Sequence, residues 1–186
     1  MRMSLSLLTA LAVILTPAGI SAKPSAATAF DYEFEAIEGG RLALDQWRGT
    51  VLLVVNTASF CGYTPQYTGL QKLWETYAAR GLIVLGVPSN DFGGQEPNKE
   101  SEILGFCQGA YNVTFPLTTK EVVSGDKAHP FYRWAREELG APAAPRWNFH
   151  KYLVGRDGKL VTAFDTQVEP QSPQLIAAIE KALSAN

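Results

Sequence analysis

The residues of this chain best suited to nucleophilic or metal chemistry are two cysteines and two histidines, Cys61, Cys107, His129 and His150. Structural zinc needs four Cys or His ligands, and the run CGYT at 61–64 has threonine where a Cys-x-x-Cys motif has its second sulfur. The Cys-x-x-Cys-His motif that attaches haem is absent as well. We therefore expect no metal and no cofactor, which leaves the two thiols as the candidates for chemistry.

Cys61 lies between two predicted elements, a buried strand at 50–58 and a helix at 66–80. Thr64 is expected to cap this helix, and Pro65 to occupy its first turn. The unpaired amides and partial positive charge of a helix N-terminus stabilise a thiolate. This placement suits attack on a peroxide oxygen. Group transfer by a Cys–His pair stays open, although neither histidine lies in a supporting motif.

The hydrophobic patterns around this turn predict one α/β domain with a mixed sheet. A second buried strand after the helix completes a β-α-β unit with parallel pairing. Two hairpins are expected, the first of them turning at Gly39-Gly40. The predicted elements are strands at 34–38, 41–44, 50–58, 82–87, 149–154 and 160–164, and helices at 66–80, 99–111, 130–139 and 173–184.

Composition excludes several classes of protein and partner. With 186 residues, of which 46% are hydrophobic and 11% aromatic, the chain is neither disordered nor collagen-like. Sixteen basic and 18 acidic residues give a net charge of −2, and no run of five cations occurs. Because phosphate neutralisation needs clustered cations, we expect no nucleic-acid partner.

The N-terminus is predicted to be a cleavable secretory signal, residues 1–22, followed by a flexible lead-in at 23–29 and the domain at 30–186. Arg2 precedes an apolar core at 5–15, which is shorter than the ~20 residues that span a membrane. We expect cleavage after Ala22, a mature net charge of −3 and no stable membrane association. The mature protein is then exported, periplasmic or secreted, where disulfides persist.

Four blocks of sequence, in order between about residue 31 and the C-terminus, resemble the glutathione peroxidase family. They are NTASFCGYTPQY at 56–67, PSNDFGGQEP at 88–97, NVTFP at 112–116 and WNFHKYLVG at 147–155. The resemblance implies a thioredoxin-like fold, a central mixed sheet flanked by helices with an N-terminal hairpin, in agreement with the element order. It also implies a peroxidase that reduces hydrogen peroxide and organic hydroperoxides.

The resemblance further implies a role for each candidate residue. Cys61 matches the peroxidatic residue, and Gln95, Trp147 and Asn148 match its polar companions, whose N–H groups can donate to a thiolate and to the leaving oxygen. Cys107 matches the resolving cysteine of thioredoxin-dependent members, although a small buried thiol on an apolar helix face, with Ile103, Phe106 and Ala110, is the alternative. To bring two cysteines within disulfide range, we expect the helix around Cys107 to unwind, aided by Gly105 and Gly109.

Some positions depart from the family pattern. Phe60 stands where lysine is frequent, and Ser89 where a further cysteine is common. The short segment 140–146 favours a monomer, and no basic cluster for the carboxylates of glutathione is evident, which favours a thioredoxin-like reductant over glutathione. Two other functions stay open, a peroxide-sensing redox relay or disulfide-transfer protein, and a noncatalytic module with a permanent disulfide.

Overall fold

The structure, a computed structural model, describes residues 27–185. Its main sheet has four strands, β3 (Val51–Thr57), β4 (Leu82–Pro88), β5 (Lys151–Val154) and β6 (Leu160–Phe164). Their order across the sheet is β4-β3-β5-β6. β3 pairs with β4 in parallel and with β5 antiparallel, and β5 pairs antiparallel with β6, so the sheet is mixed as expected.

β3 lies inside the sheet because its side chains are apolar on both faces. All seven of its residues are buried. Leu53 and Val55 point into one core with α1 (Gln66–Tyr77), α2 (Glu100–Tyr111) and α4 (Pro173–Ser184). Leu52 and Val54 point into the opposite core with α3 (Pro130–Leu139) and the N-terminal hairpin. Alternation along an extended strand thus buries the sheet on both sides.

The N-terminal hairpin is a separate two-stranded sheet, β1 (Glu33–Glu35) with β2 (Arg41–Ala43). Gly39 and Gly40 in its turn have φ of 94° and 90°, values that favour glycine. The predicted hairpin is therefore confirmed, although each strand is shorter than expected. Before it, Ala29 is buried and donates its N–H to the Gly158 carbonyl at 2.8 Å.

The helices agree with the predicted positions except at the ends of α1. Gly81, in the left-handed region with φ 95°, ends this segment as expected, but α1 itself stops at Tyr77 and continues as a 3₁₀ turn, Ala78–Arg80. The expected capping by Thr64 is wrong. Pro65 is in the N-cap position with no side-chain bond, because the Thr64 hydroxyl bonds to the turn before the helix instead.

The predicted apolar face of α2 is also partly wrong. Ile103 and Cys107 are buried and Phe106 is partly buried, but Ala110 is exposed. Leu104 is partly buried against the core and forms part of the apolar face instead. Between residues 27 and 185, no helix is both long and apolar enough to cross a membrane. The predicted signal, residues 1–22, lies outside the described residues.

Candidate active site

Cys61 lies in a series of turns that leads from β3 into α1. Its N–H donates to the Thr64 hydroxyl at 3.0 Å, and that hydroxyl donates to the Ala58 carbonyl at 2.9 Å. The Thr64 N–H closes the turn on the Cys61 carbonyl at 3.0 Å. The Cys61 sulfur accepts the Tyr63 N–H at 3.4 Å, and the residue is 7% exposed. The amide that reaches the thiol therefore belongs to this turn and not to the helix proper.

The segment before Cys61 is tied to the 95–96 loop by three hydrogen bonds. The N–H and hydroxyl of Ser59 both donate to Oε2 of Glu96, at 2.8 and 2.9 Å. The Phe60 N–H donates to the Gln95 carbonyl at 3.1 Å. These bonds place the predicted companion Gln95 next to the Cys61 turn.

Gln95 and Asn148 contact each other directly. Nδ2 of Asn148 donates to Oε1 of Gln95 at 2.9 Å and lies 3.4 Å from the Phe92 carbonyl. This bond orients the Gln95 amide and leaves its Nε2 group able to donate to another molecule. Oδ1 of Asn148 is buried without a partner in the described chain.

Trp147 borders a cleft of about 370 Å³ together with Tyr63, whose amide reaches the Cys61 sulfur. The indole is 39% exposed and lies 6.1 Å, centroid to centroid, from the Phe92 ring. Phe60, beside Cys61, is 59% exposed. Tyr63 thus connects the Cys61 turn to an open cleft that Trp147 borders.

A buried lysine is linked to Asn148 by a chain of hydrogen bonds. Lys151 is fully buried, and its Nζ donates to Oε1 of Gln66 and to the Val168 carbonyl, both at 2.6 Å. Burial lowers the pKa of Lys151 to about 8. Nε2 of Gln66 in turn donates to the Thr166 carbonyl at 2.7 Å, and the Thr166 hydroxyl donates to the Asn148 carbonyl at 2.8 Å. This chain of bonds connects the start of α1 to Asn148.

Cys107 is fully buried inside α2, and both cysteines are free thiols. Burial raises the pKa of the Cys107 thiol to about 11, the Tyr67 hydroxyl beside it opposes that rise, and the charge of Glu96 adds to it. A thiol in this state is a poor nucleophile, since the thiolate is the reactive form. Burial in α2 thus disfavours the thiolate form of Cys107.

The structure brings Gln95 and Asn148 into contact, and places Cys61 and Trp147 around them. None of these three companions hydrogen-bonds the Cys61 sulfur among the described residues, where Tyr63 is the donor. Sequence reasoning missed Tyr63 and Glu96, and it assigned Thr64 to the helix cap instead of the Cys61 turn. The signal for Glu96 was its place in the block at 88–97, next to Gln95, but a charged residue in a loop gives no hint of burial.

A sequence profile described as glutathione peroxidase matches residues 29–136. A hydroperoxy fatty acid reductase of Synechocystis sp. is 43% identical over 164 residues, covering 84% of this chain and 96% of the relative. A glutathione peroxidase-like peroxiredoxin of Schizosaccharomyces pombe is 43% identical over 137 residues, covering 72% of this chain and 86% of the relative. These matches extend over most of the domain and include the Cys61 turn.

Solved structures agree with the fold. The crystal structure of Trgpx in apo form is 34% identical with a TM-score of 0.68, covering 85% of this chain and 97% of that one. A thioredoxin-family thiol:disulfide interchange protein of Chlorobium tepidum has a TM-score of 0.63 at 14% identity, covering 88% and 99%, which bears on the fold alone. The expected thioredoxin-like fold is thereby confirmed, and the chain belongs to the glutathione peroxidase family of peroxidases.

Proposed function

We propose that this thiol peroxidase reduces peroxides at Cys61 and forms a disulfide with Cys107. The observation that carries the first part is the position of Cys61, which accepts the Tyr63 amide beside the open Trp147 cleft. The Gln95–Asn148 pair lies against the same turn through the Phe60–Gln95 bond. Together these groups provide a nucleophile with nearby hydrogen-bond donors and no competing base.

In the first step the Cys61 thiolate attacks one peroxide oxygen. An S–O bond forms, the O–O bond breaks, and the second oxygen leaves as water or an alcohol after taking a proton, so that Cys61 becomes a sulfenic acid. In the second step the Cys107 sulfur attacks the Cys61 sulfur, the S–O bond breaks, and water leaves. A dithiol protein then reduces the disulfide by thiol exchange.

Variants of the two cysteines test these steps. With one equivalent of hydrogen peroxide, the wild-type protein should yield a Cys61–Cys107 peptide linkage in mass spectrometry. Cys61→Ser should lose peroxidase activity by at least about a thousandfold, because the reacting atom is gone. Cys107→Ser should still consume one equivalent and then stop. Full turnover by Cys61→Ser contradicts the first part of the proposal, and an absent linkage contradicts the second.

We propose a thioredoxin-like protein as the reductant in preference to glutathione. In support, the relative from Schizosaccharomyces pombe carries the name peroxiredoxin, and the sequence has an excess of acidic over basic residues. Steady-state peroxide consumption with thioredoxin and its reductase should exceed that with glutathione and its reductase by at least about tenfold in kcat/KM. Equal or greater activity with glutathione contradicts this choice.

Organic hydroperoxides are proposed as substrates beside hydrogen peroxide. The exposed Phe60 directly precedes Cys61, the exposed Trp147 borders a cleft with Tyr63, and both offer apolar surface. The Synechocystis relative is named for hydroperoxy fatty acids. A fatty acyl hydroperoxide should therefore be reduced with a kcat/KM at least equal to that for hydrogen peroxide. Activity confined to hydrogen peroxide contradicts the proposal.

We also propose that the protein is exported after cleavage behind Ala22 and acts as a monomer. The support is the charge and hydropathy pattern of residues 1–22 and the short segment 140–146. N-terminal sequencing of protein recovered outside the cytoplasm should begin at Lys23, and sedimentation should give one chain per particle. A retained Met1 or a dimer would contradict the respective statement.

A further inference from the structure

Asn56 is a fully buried polar residue near the end of β3, next to the segment that carries Trp147 and Asn148. Its side-chain amide makes two hydrogen bonds to the backbone of that segment. Nδ2 donates to the Trp147 carbonyl at 3.0 Å, and Oδ1 accepts the His150 N–H at 3.1 Å. Asn56 therefore binds the chain on both sides of Asn148.

The backbone between these two contacts forms a β-bulge. The Asn56 N–H donates to the His150 carbonyl at 3.3 Å, and in a regular antiparallel pair the His150 N–H would donate back to the Asn56 carbonyl. The Phe149 N–H takes that place at 2.6 Å, so that Phe149 and His150 together oppose Asn56. The His150 N–H is displaced from the ladder and donates to Oδ1 of Asn56 instead.

Phe149, the first residue of the bulge, has an unusual backbone conformation. Its φ of 62° lies in the left-handed region, where glycine is the usual residue in a bulge of this kind. A larger residue persists in that region only where its surroundings hold it there. The Phe149 ring is fully buried and meets Tyr67 edge to face, with 5.4 Å between the ring centroids. Packing thus fixes the ring, and the bonds from Asn56 fix the backbone on which it stands.

The bulge determines the direction of the Asn148 side chain, because a bulge bends its strand and redirects the neighbouring residues. Asn148 directly precedes the bulge, and its Nδ2 donates to Oε1 of Gln95 at 2.9 Å. The Thr166 hydroxyl donates to the Asn148 carbonyl at 2.8 Å and anchors the residue at one point. Its orientation about that point depends on the backbone on either side, where the bonds come from Asn56.

We propose that Asn56 is a positioning residue of the peroxidase site, which holds Asn148 in the orientation that bonds to Gln95. This inference rests on the proposed function, since it assumes that the Gln95–Asn148 pair acts in the reaction at Cys61. Asparagine suits the task because one short amide supplies both a donor and an acceptor. An ionised aspartate lacks the donor, and an apolar side chain lacks both.

The test is the rate at which hydrogen peroxide oxidises Cys61, followed by rapid mixing and the loss of its free thiol. Asn56→Ala should slow this step by about tenfold, because the amides of Asn148 and Gln95 then lose their fixed orientation. A wild-type rate in Asn56→Ala would overturn the proposal.

Gln71→Ala is the matched control for the loss of a buried amide. Like Asn56, Gln71 is buried and its amide both donates and accepts, but its partners are Thr114 and Glu75. Urea unfolding gives the stability of each variant, and only Asn56→Ala should oxidise more slowly at Cys61. Equal slowing in both variants would overturn the proposal, since the rate would then follow stability alone.

A double-mutant cycle with Asn148→Ala separates positioning from general support of the fold. If Asn56 acts through Asn148, adding Asn56→Ala to Asn148→Ala should slow oxidation by less than about twofold further. If the two effects multiply instead, to about a hundredfold together, Asn56 acts by another route and the proposal is overturned.

Hydrogen exchange in the wild-type protein tests the same bonds without any variant. The His150 N–H should exchange as slowly as the amides of β3, because its bond to Asn56 is buried. Exchange at least about a hundredfold faster than in β3 would show that Asn56 does not hold this segment, and would overturn the proposal. Failure of peroxide to oxidise Cys61 in the wild-type protein would instead contradict the proposed function, and a wild-type rate in Asn148→Ala would contradict both.

Discussion

Asn148 shows how a residue can serve the site without contacting the reactive sulfur. Its amide nitrogen donates to Oε1 of Gln95, and its carbonyl accepts the Thr166 hydroxyl. The first bond orients the Gln95 amide, and the second fixes Asn148 to the segment after β6. At the scale of single residues, the site is therefore a set of oriented donors around Cys61.

Replacement of Asn148 by alanine should slow oxidation of Cys61 by peroxide. Without the Asn148 bond the Gln95 amide can rotate, and loss of one oriented donor is expected to reduce the rate by about tenfold or more. Rapid mixing with hydrogen peroxide, followed by the loss of free Cys61 thiol, measures this rate. Gln46→Ala is the control, because it removes a side-chain amide that bonds to the Ala43 carbonyl and not to a residue of the site. Equal rates for the two variants would contradict the orienting role.

At the scale of elements, we propose that α2 opens before Cys107 reacts. Cys107 is buried on its inner face, while Gly105 and Gly109 are exposed on its outer side. A β-carbon at either glycine would have no atom within 4 Å, so both residues weaken the helix without any packing reason. Glycine in a helix interior costs roughly 1 kcal/mol relative to alanine.

The double variant Gly105→Ala/Gly109→Ala should stabilise α2 and slow disulfide formation. Two substitutions of roughly 1 kcal/mol each reduce the open population by about thirtyfold if the whole helix opens before reaction. Quenched single turnovers give the rate of linkage, and hydrogen exchange of α2 amides reports the opening. Thr68→Ala, which raises helix propensity in α1, should change neither quantity. If hydrogen exchange in α2 slows in the double variant but the disulfide forms at the wild-type rate, opening of α2 is not required.

At the scale of the whole molecule, His150 makes stability depend on pH. His150 is almost fully buried, and its ring centroid lies 4.8 Å from that of Tyr152 in an edge-to-face contact. Burial lowers the pKa of His150 from 6.5 to about 4. The neighbouring charge of Lys151 acts in the same direction, and a bond to the Ala143 carbonyl opposes it. The folded state thus holds His150 neutral.

The free energy of unfolding should fall as the pH decreases from 6.5 towards 4. Between these values the unfolded chain binds a proton at His150 that the folded chain does not bind. The contribution of neutral His150 to the free energy of unfolding is therefore complete above pH 6.5 and decreases as the pH falls to about 4. A depression of this size corresponds to about 3 kcal/mol. Urea unfolding across this range, for the wild-type protein and His150→Gln, measures the difference. If the free energy of unfolding changes with pH in the same way for both proteins, His150 does not cause the pH dependence.

The elements were predictable because their signals are local. The apolar run at 51–57 and the helical spacing in α1 and α2 require only neighbours in sequence. Thr64 was assigned wrongly because a hydroxyl near a helix start has two sets of partners within reach, and the choice between them depends on how the turn from Ala58 folds. Glu96 went unassigned because its partner Ser59 is 37 residues away.

The sequence by itself determined the family, the β-α-β order and the two thiols, since each is written in residue types or in short-range periodicity. Only the tertiary structure decided that Gln95 bonds to Asn148, 53 residues away, and that Glu96 and Lys151 are buried. Burial and long-range pairing result from the packing of the whole chain, and they set the ionisation of Cys107, Glu96 and His150. The chemistry of the second cysteine is therefore a property of the fold, whereas the position of the first is evident in the sequence.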